Sequence, residues 1–85
     1  MGRPAKAPTT ISTTVREGRF IKRMRERLGY NVESVATYVG VNRTTLQNYE
    51  SGFKRIPDYR VHALAEILQI DAWEIRIVQE ELVMA

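Results

Sequence analysis

The stretch Val35-Ala-Thr-Tyr-Val-Gly-Val-Asn-Arg-Thr-Thr-Leu46 has the pattern of two short helices joined by a very tight turn. Ala36 is small enough to let the two helices cross closely. Gly40 can adopt the positive φ that such a turn requires, and Val41 fills the angle between the helices. The stretch therefore predicts a crossed helix pair, with the second helix starting just after the turn.

The second helix of this pair is predicted to bury Leu46 and Tyr49 and to leave a polar outer face. The outer side chains are hydrogen-bonding groups that are short or planar. This chemistry reads base edges, because Arg pairs with guanine, Asn or Gln pairs with adenine, and a Thr methyl contacts thymine. An ordinary solvated helix face is the alternative. The base-reading candidates are Arg43, Thr44, Thr45, Gln47 and Asn48.

Capping signals predict helices on both sides of this pair. A capping box from Thr14 to Glu17 starts the first helix, and Gly29 ends it. Asn31 and Asn42 are N-caps of the two short helices. The next two helices begin at an Asp58 cap and at a second capping-box pattern, Asp71 to Glu74.

The chain is predicted to form one all-α, five-helix domain with an N-terminal arm. Residues 1–13 lack apolar periodicity and are expected to be a flexible basic arm. Residues 14–85 are expected to form the folded domain, because apolar spacing continues through them and no alternating stretch indicates a strand. The crossed pair occupies about residues 32–51, and the last helix about 72–83.

Charge is distributed unevenly along the chain, whose net charge is +3. Residues 1–28 hold eight Lys or Arg and two Glu, whereas residues 61–85 hold one Arg and five acids. A basic N-terminal part fits a protein that binds a polyanion with one face, although a solvated basic helix gives the same pattern. Candidates here are Arg19 and Lys22 for phosphate contact, and Arg3 and Lys6 for a minor-groove arm.

The crossed pair and its neighbours share the spacing of one known family. The residues are Gly18-x-x-Ile21-x-x-Met24-Arg25-Glu26-x-x-Gly29, Val35-Ala36-x-x-x-Gly40-Val41-Asn42-Arg43-Thr44-Thr45-Leu46, Tyr49-Glu50-x-Gly52, and Pro57. With them, residues 18–75 resemble the phage repressor and Cro family of helix-turn-helix domains, also called XRE-type. About two-thirds of the chain is covered by this resemblance.

The resemblance implies a repressor-like fold in which the helix from Arg43 to Ser51 enters the major groove and dimers read two half-sites. It also implies an ion pair between Arg25 and Glu50 that locks the first helix to this recognition helix. In similar proteins the following loop lies against the DNA backbone, and the start of the recognition helix meets phosphate. Asn42, Lys54 and Arg55 are therefore further phosphate candidates.

One position departs from the family pattern. The family often has Gln as the first residue of the second helix, where it contacts phosphate, but this chain has Val32. The contact is either missing or supplied by a neighbouring residue. This departure affects the phosphate assignment and not the fold.

The last helix has two apolar edges, one containing Trp73 and Ile77 and the other Ile75 and Val78. One edge can dock on the core, and a twofold-related copy is the simplest cover for the second. A single broad stripe facing the core is the alternative. Phe20 stands where the family usually has a polar residue. The candidates for a homodimer interface are Trp73, Ile77, Val78 and Phe20.

The composition gives no support for an enzyme, a metal site or a membrane protein. There are no cysteines, which fits a cytoplasmic location. His62 is the only histidine, and a metal site needs more ligands than this one side chain. The sequence also has no second histidine and no cysteine nucleophile from which a catalytic pair could be built. No apolar run approaches the roughly 18 residues of a membrane span. We expect no catalytic residues, metal or cofactor.

Together these features predict a sequence-specific transcriptional regulator, a repressor that binds a palindromic operator in double-stranded DNA as a homodimer. Control is expected from its own concentration, from dimerisation or from a regulatory protein partner. The alternative is a protein-interaction module, such as an antirepressor or an antitoxin-type scaffold with the same fold. The polar recognition helix favours DNA, because a protein interface is richer in aromatic and apolar side chains.

Overall fold

The computed structural model describes residues 12–76, and every regular element within that range is a helix. The predicted all-α fold of five helices is confirmed. The helices are α1 (Thr13–Leu28), α2 (Val32–Val39), α3 (Arg43–Ser51), α4 (Asp58–Leu68) and α5 (residues 72–76, at the end of the described range).

The two short helices begin and end where the sequence indicates. The Asn31 side chain accepts a hydrogen bond from the Ser34 backbone N–H at 2.8 Å, and the Asn42 side chain accepts one from Thr45 at 2.8 Å. Each bond satisfies a free N–H of a first turn. Gly40 ends α2 with φ 91°, a conformation that a side chain would strain. The turn between α2 and α3 is therefore set by local chemistry.

The predicted cap of α1 is wrong by one half-turn. Ser12 is the N-cap, and its Oγ accepts a hydrogen bond from the Val15 N–H at 3.1 Å. Thr14 already lies inside the helix. Glu17 does not reach back to the cap, because it is buried and binds an arginine of α5 instead. Ser12 and Thr13, assigned to the arm by the sequence pattern, are therefore the N-cap and the first residue of α1.

The predicted cap of α4 is also wrong. Pro57 occupies the N-cap position, and no side chain caps the helix. Asp58 is the first helical residue, and its carboxylate accepts a hydrogen bond from Arg76. At α5 the reach-back half of the predicted capping box is present, since Glu74 accepts a bond from the Asp71 N–H at 2.7 Å.

The core lies where α1 and α2 each pack against both α3 and α4. Tyr49, predicted to face inward, is buried with the apolar faces of the four helices. Ile56 from the α3–α4 loop and Ile75 from α5 complete it. The largest fully buried side chains are Ile21, Leu46, Ile56, Leu64, Leu68, Ile75 and Val35.

The backbone of α1 approaches that of α3 very closely at Gly18. A Cβ at this position would clash with the carbonyl oxygen of Tyr49 and lie 2.7 Å from that of Glu50. Gly52, at the end of α3, meets α1 in the same way, since its Cβ would lie 2.6 Å from Cγ2 of Val15. The lack of a side chain at Gly18 and Gly52 therefore allows α1 and α3 to approach this closely.

Several predicted features lie outside the described residues. They include the arm residues Arg3 and Lys6 and the distal part of the last helix, with Ile77 and Val78. Within residues 12–76, no helix has the length and apolar character needed to cross a membrane.

Candidate nucleic-acid interface

Helix α3 has a buried inner face and a polar outer face. Leu46, Tyr49 and Glu50 are buried. The predicted base-reading residues all lie on the other side, where Arg43, Thr44 and Gln47 are exposed and Thr45 and Asn48 are half-buried.

The inner face of α3 is fixed by an ion pair with α1. Arg25 Nε donates to Glu50 Oε2 at 2.7 Å and Nη2 donates to Oε1 at 3.2 Å, so the pair is bidentate. The two side chains are only 10% and 6% exposed. Arg25 also donates to the Tyr30 carbonyl at 2.9 Å, and its hydrogen bonds to Glu50 raise the pKa of Arg25. This is the pair that the family resemblance implies.

A buried pair of this kind holds α1 and α3 in a fixed position relative to each other. Loss of one partner would leave the other charge buried and uncompensated, which typically costs about 3–5 kcal/mol. Because Glu50 belongs to α3, the pair holds the orientation of that helix about its own axis. The outer face of α3 is therefore presented at a defined angle.

The N-termini of α2 and α3 meet at the surface through a second ion pair. Glu33 Oε2 lies 3.6 Å from Arg43 Nη1, and both side chains are largely exposed. Glu33 is not among the residues that the sequence pattern identifies, although an acid in the first turn of a helix is a favourable placement. A cleft of about 310 Å³ at this junction is lined by Arg25, Asn31, Val32, Glu33 and Arg43.

A neighbouring cleft joins α1 to the outer face of α3. It has a volume of about 240 Å³ and includes Lys22 and Gln47 in its lining. The structure thus brings a phosphate candidate of α1 beside a base-reading candidate of α3. Arg19 is also exposed, three residues before Lys22 and on the same side of α1. The half-buried Val32 lines both clefts.

The loop after α3 is tied back to the helix that precedes it. The Lys54 N–H donates to the Asn48 carbonyl at 3.1 Å, and the Phe53 N–H donates to Ser51 Oγ at 3.3 Å. Lys54 and Arg55 are exposed. The two predicted phosphate-binding side chains therefore project from a loop whose backbone is held beside α3.

A cluster around Arg76 lies at the start of α1 and was not indicated by any motif. Arg76 Nη1 donates to Glu17 Oε1 at 2.6 Å, and Nη2 donates to the Ile56 carbonyl at 2.9 Å and to Asp58 Oδ1 at 2.7 Å. One guanidinium thus joins α1, the α3–α4 loop, α4 and α5. The available signal is that Glu17 lies four residues before Ile21 on the inward stripe of α1.

Burial has a measurable electrostatic consequence at Glu17. Desolvation raises the pKa of this carboxyl above its ordinary value of 4.5, and the charge and hydrogen bond of Arg76 offset the effect only in part. Arg55 lies near enough to lower the pKa slightly further.

The dimer candidates in the described range occupy different environments. Trp73 is 59% exposed on α5, whereas Ile75 on the same helix is fully buried in the core. Phe20 is half-buried and packs against the core of its own chain. The described residues contain no cluster of three or more His, Cys, Asp or Glu side chains arranged to hold a metal ion.

Comparison with known proteins agrees with this geometry. The model of a family described as helix-turn-helix matches residues 21–72, which contain both clefts and all of α3. No curated protein matches the sequence significantly. Among solved structures, the fold is similar to the high-resolution crystal structure of the restriction-modification controller protein C.AhdI from Aeromonas hydrophila. The TM-score is 0.69 at 24% identity, over 73% of this chain and 94% of that one.

Proposed function

Because the chain belongs to this helix-turn-helix family of DNA-binding transcriptional regulators, we propose that it represses transcription by binding a palindromic operator as a homodimer. The observation that carries the proposal is the division of α3. Its inner face is buried and locked by Arg25 and Glu50, whereas its outer face is polar and accessible. A fixed helix with a polar outer face is what base recognition in the major groove requires.

Base recognition is assigned to the outer face of α3. Arg43 and Gln47 carry planar groups that form bidentate hydrogen bonds, to guanine and adenine respectively. The exposed Thr44 offers a methyl group to thymine. The half-buried Thr45 and Asn48 lie at the edges of this surface. These five side chains, a guanidinium, two hydroxyls and two amides, lie within less than two helical turns and supply enough contacts for a short half-site.

Phosphate contacts are assigned to residues that flank this face. Lys22 lies beside Gln47 on the α1 side, with Arg19 one turn away, and Lys54 and Arg55 lie in the loop that follows α3. Asn42 caps α3, whose N-terminus favours an anion. Cations on both sides of a recognition helix match the two phosphate backbones that border the major groove. Such contacts position the protein without reading sequence.

The homodimer is assigned to the exposed side of α5. Trp73 is largely exposed, while Ile75 anchors the same helix in the core. The helix is therefore held firmly with a large aromatic side chain facing outward, which favours a protein contact. Ile77, Val78 and Phe20 remain candidates for the same interface. A twofold arrangement would place two copies of α3 about one helical turn apart on DNA.

The proposal is tested by selection from a random pool of DNA duplexes with the purified protein, followed by sequencing of the bound fraction. An enriched palindrome with half-sites about one helical turn apart is the expected result. A variant with both Arg43→Ala and Gln47→Ala serves as the control and should lose the enrichment. Enrichment of a single half-site would retain DNA recognition but contradict the symmetric dimer. No enrichment at low salt would favour a protein-interaction module.

A further inference from the structure

The Glu33–Arg43 ion pair places a carboxylate on the face that we assign to DNA. Glu33 is in the first turn of α2, and Arg43 is the first residue of α3. The side chains are 73% and 61% exposed, and their charged atoms are 3.6 Å apart. Both residues line the 310 Å³ cleft where the two helix N-termini meet. A negative charge in this position opposes the phosphates of a bound duplex.

The pair is held weakly enough to open. Exposed ion pairs contribute little to stability because water screens them. A cation at a helix N-terminus is disfavoured by the helix dipole, whereas an anion there is favoured. Glu33 therefore stabilises its own helix and also neutralises the unfavourable charge of Arg43. Opening the pair removes this neutralisation and leaves two separate charges at the surface.

We propose that Glu33 is a specificity-determining residue that aims the Arg43 guanidinium at guanine and away from phosphate. This inference rests on the proposed function. A guanidinium has five N–H donors, so guanine can accept two hydrogen bonds while the carboxylate keeps another. On a site without that guanine, Arg43 gains a partner only by turning to a phosphate. Glu33 is then left unpaired beside the DNA backbone, and binding is penalised.

Glu33 is in this way a discriminating element and not a source of affinity. It reduces binding to incorrect sequences more than binding to the correct one, which is a recognised route to specificity. The isosteric substitution Glu33→Gln would keep the size of the side chain and its place in α2 while removing the charge. The Glu33→Gln variant would therefore lose both the ion pair with Arg43 and the repulsion from phosphate.

The test compares Glu33→Gln with Glu66→Gln, which removes the same charge from an exposed position on α4. Fluorescence anisotropy at one fixed salt concentration gives Kd for the selected duplex and for a scrambled duplex of equal length. Each glutamate substitution is also made in an Arg43→Ala background. Circular dichroism melting of all variants verifies that each remains folded.

With Glu33→Gln we expect affinity for the scrambled duplex to rise roughly twofold to fivefold, within the range of one exposed charge interaction. Affinity for the selected duplex should remain unchanged or fall, so the ratio of the two affinities decreases. Glu66→Gln should leave this ratio unchanged. In the Arg43→Ala background, Glu33→Gln should also leave the ratio unchanged, because its effect on discrimination acts through Arg43.

An equal rise on both duplexes would mean that Glu33 acts only as a general negative charge, and it would overturn the inference. A fall on both duplexes would mean that Glu33 contacts DNA itself, which is an equally contrary result. If the wild-type protein shows no preference for the selected duplex, the proposed function fails and the inference fails with it. If the wild type prefers the selected duplex and Glu33→Gln leaves the ratio of the two affinities unaltered, the inference is rejected and the proposed function stands.

Discussion

Gln47 and Glu50 lie three residues apart on α3 and have opposite environments. Gln47 is exposed at the cleft shared with α1, while Glu50 is buried against Arg25. Substitution of the first should change what the helix binds, and substitution of the second should change where the helix lies. The distinction matters for interpreting variants, because loss of DNA binding follows in both cases.

Replacing Gln47 with Ala should weaken binding to the selected duplex by about 1–3 kcal/mol and relax the preference at one base pair. The side chain amide is lost, but nothing buried changes, so the melting temperature should stay close to that of the wild type. Anisotropy titrations against single-base variants of the duplex measure the effect. His62→Ala, at an exposed position on α4, is a suitable control. Unchanged affinity for every duplex would remove Gln47 from the recognition surface.

Replacing Lys54 with Ala should weaken binding to selected and random duplexes alike. A phosphate contact carries no sequence information, and its loss reduces the number of counterions released on binding. The slope of log K against log salt concentration should therefore become less steep by about one unit. A loss restricted to the selected duplex would instead indicate a base contact.

At this scale the sequence predicts side chains whose partners are local or belong to a recognised pattern. Asn31 and Asn42 cap their helices as predicted, because each bond spans only three residues. Arg76 and Glu17 were not predicted, since 59 positions separate them and no motif connects them. The pairing of Glu33 with Arg43 depends on the angle at which α2 meets α3, which residue types alone do not give.

Among the helices, the contact between α1 and α3 has the least tolerance for change. Gly18→Ala would force a methyl group into the backbone of Tyr49 and Glu50. The helices must separate, so we expect a loss of roughly 1–3 kcal/mol in the free energy of unfolding despite the higher helix propensity of Ala. Chemical denaturation followed by circular dichroism measures it. Arg23→Ala, exposed on the same helix, should change stability by less than about 0.5 kcal/mol.

The buried Glu17 predicts a specific dependence of stability on pH. Its pKa is raised above 4.5 in the folded state, so just above that pH the folded protein binds more protons than the unfolded chain. The contribution of Glu17 to stability is therefore fully present below pH 4.5 and is lost as the pH rises through the folded-state pKa. The ion pair with Arg76 limits this loss without removing it.

Glu17→Gln should remove this term, because Gln does not titrate. Relative to the wild type, the variant should gain stability as the pH is raised from about 4 to 7. Melting temperatures of the two proteins across this range give the comparison. Asp58→Asn, an exposed partner of the same arginine, is the matched control. A stability of Glu17→Gln relative to wild type that stays constant, or that falls with rising pH, would contradict the raised pKa.

Helix boundaries show the same division between local and distant effects. Gly29 and Gly40 end their helices where the sequence indicates. The starts of α1 and α4 were misassigned, because Glu17 and Asp58 both fit capping patterns. Both carboxylates bind Arg76 in the folded chain. Both carboxylates thus have a partner that lies far away in the sequence, which a local capping pattern does not reveal.

For the whole molecule, the central question is whether two copies associate through α5. Point substitution tests this better than removal of the helix, because Ile75 is part of the core and Arg76 joins four segments. Trp73→Ala should leave the monomer folded and shift sedimentation from dimer to monomer. The comparably exposed Tyr59→Ala on α4 should not. An unchanged dimer in Trp73→Ala would place the interface elsewhere.

The division of α3 has a consequence for how such a protein changes its target over evolutionary time. The residues that hold the fold together, Leu46, Tyr49 and Glu50, are buried, whereas Arg43, Thr44 and Gln47 are exposed. No residue belongs to both groups. Drift among the exposed positions can retarget the protein to a new operator while the scaffold stays intact. The same separation makes this helix a suitable starting point for engineered regulators with chosen binding sites.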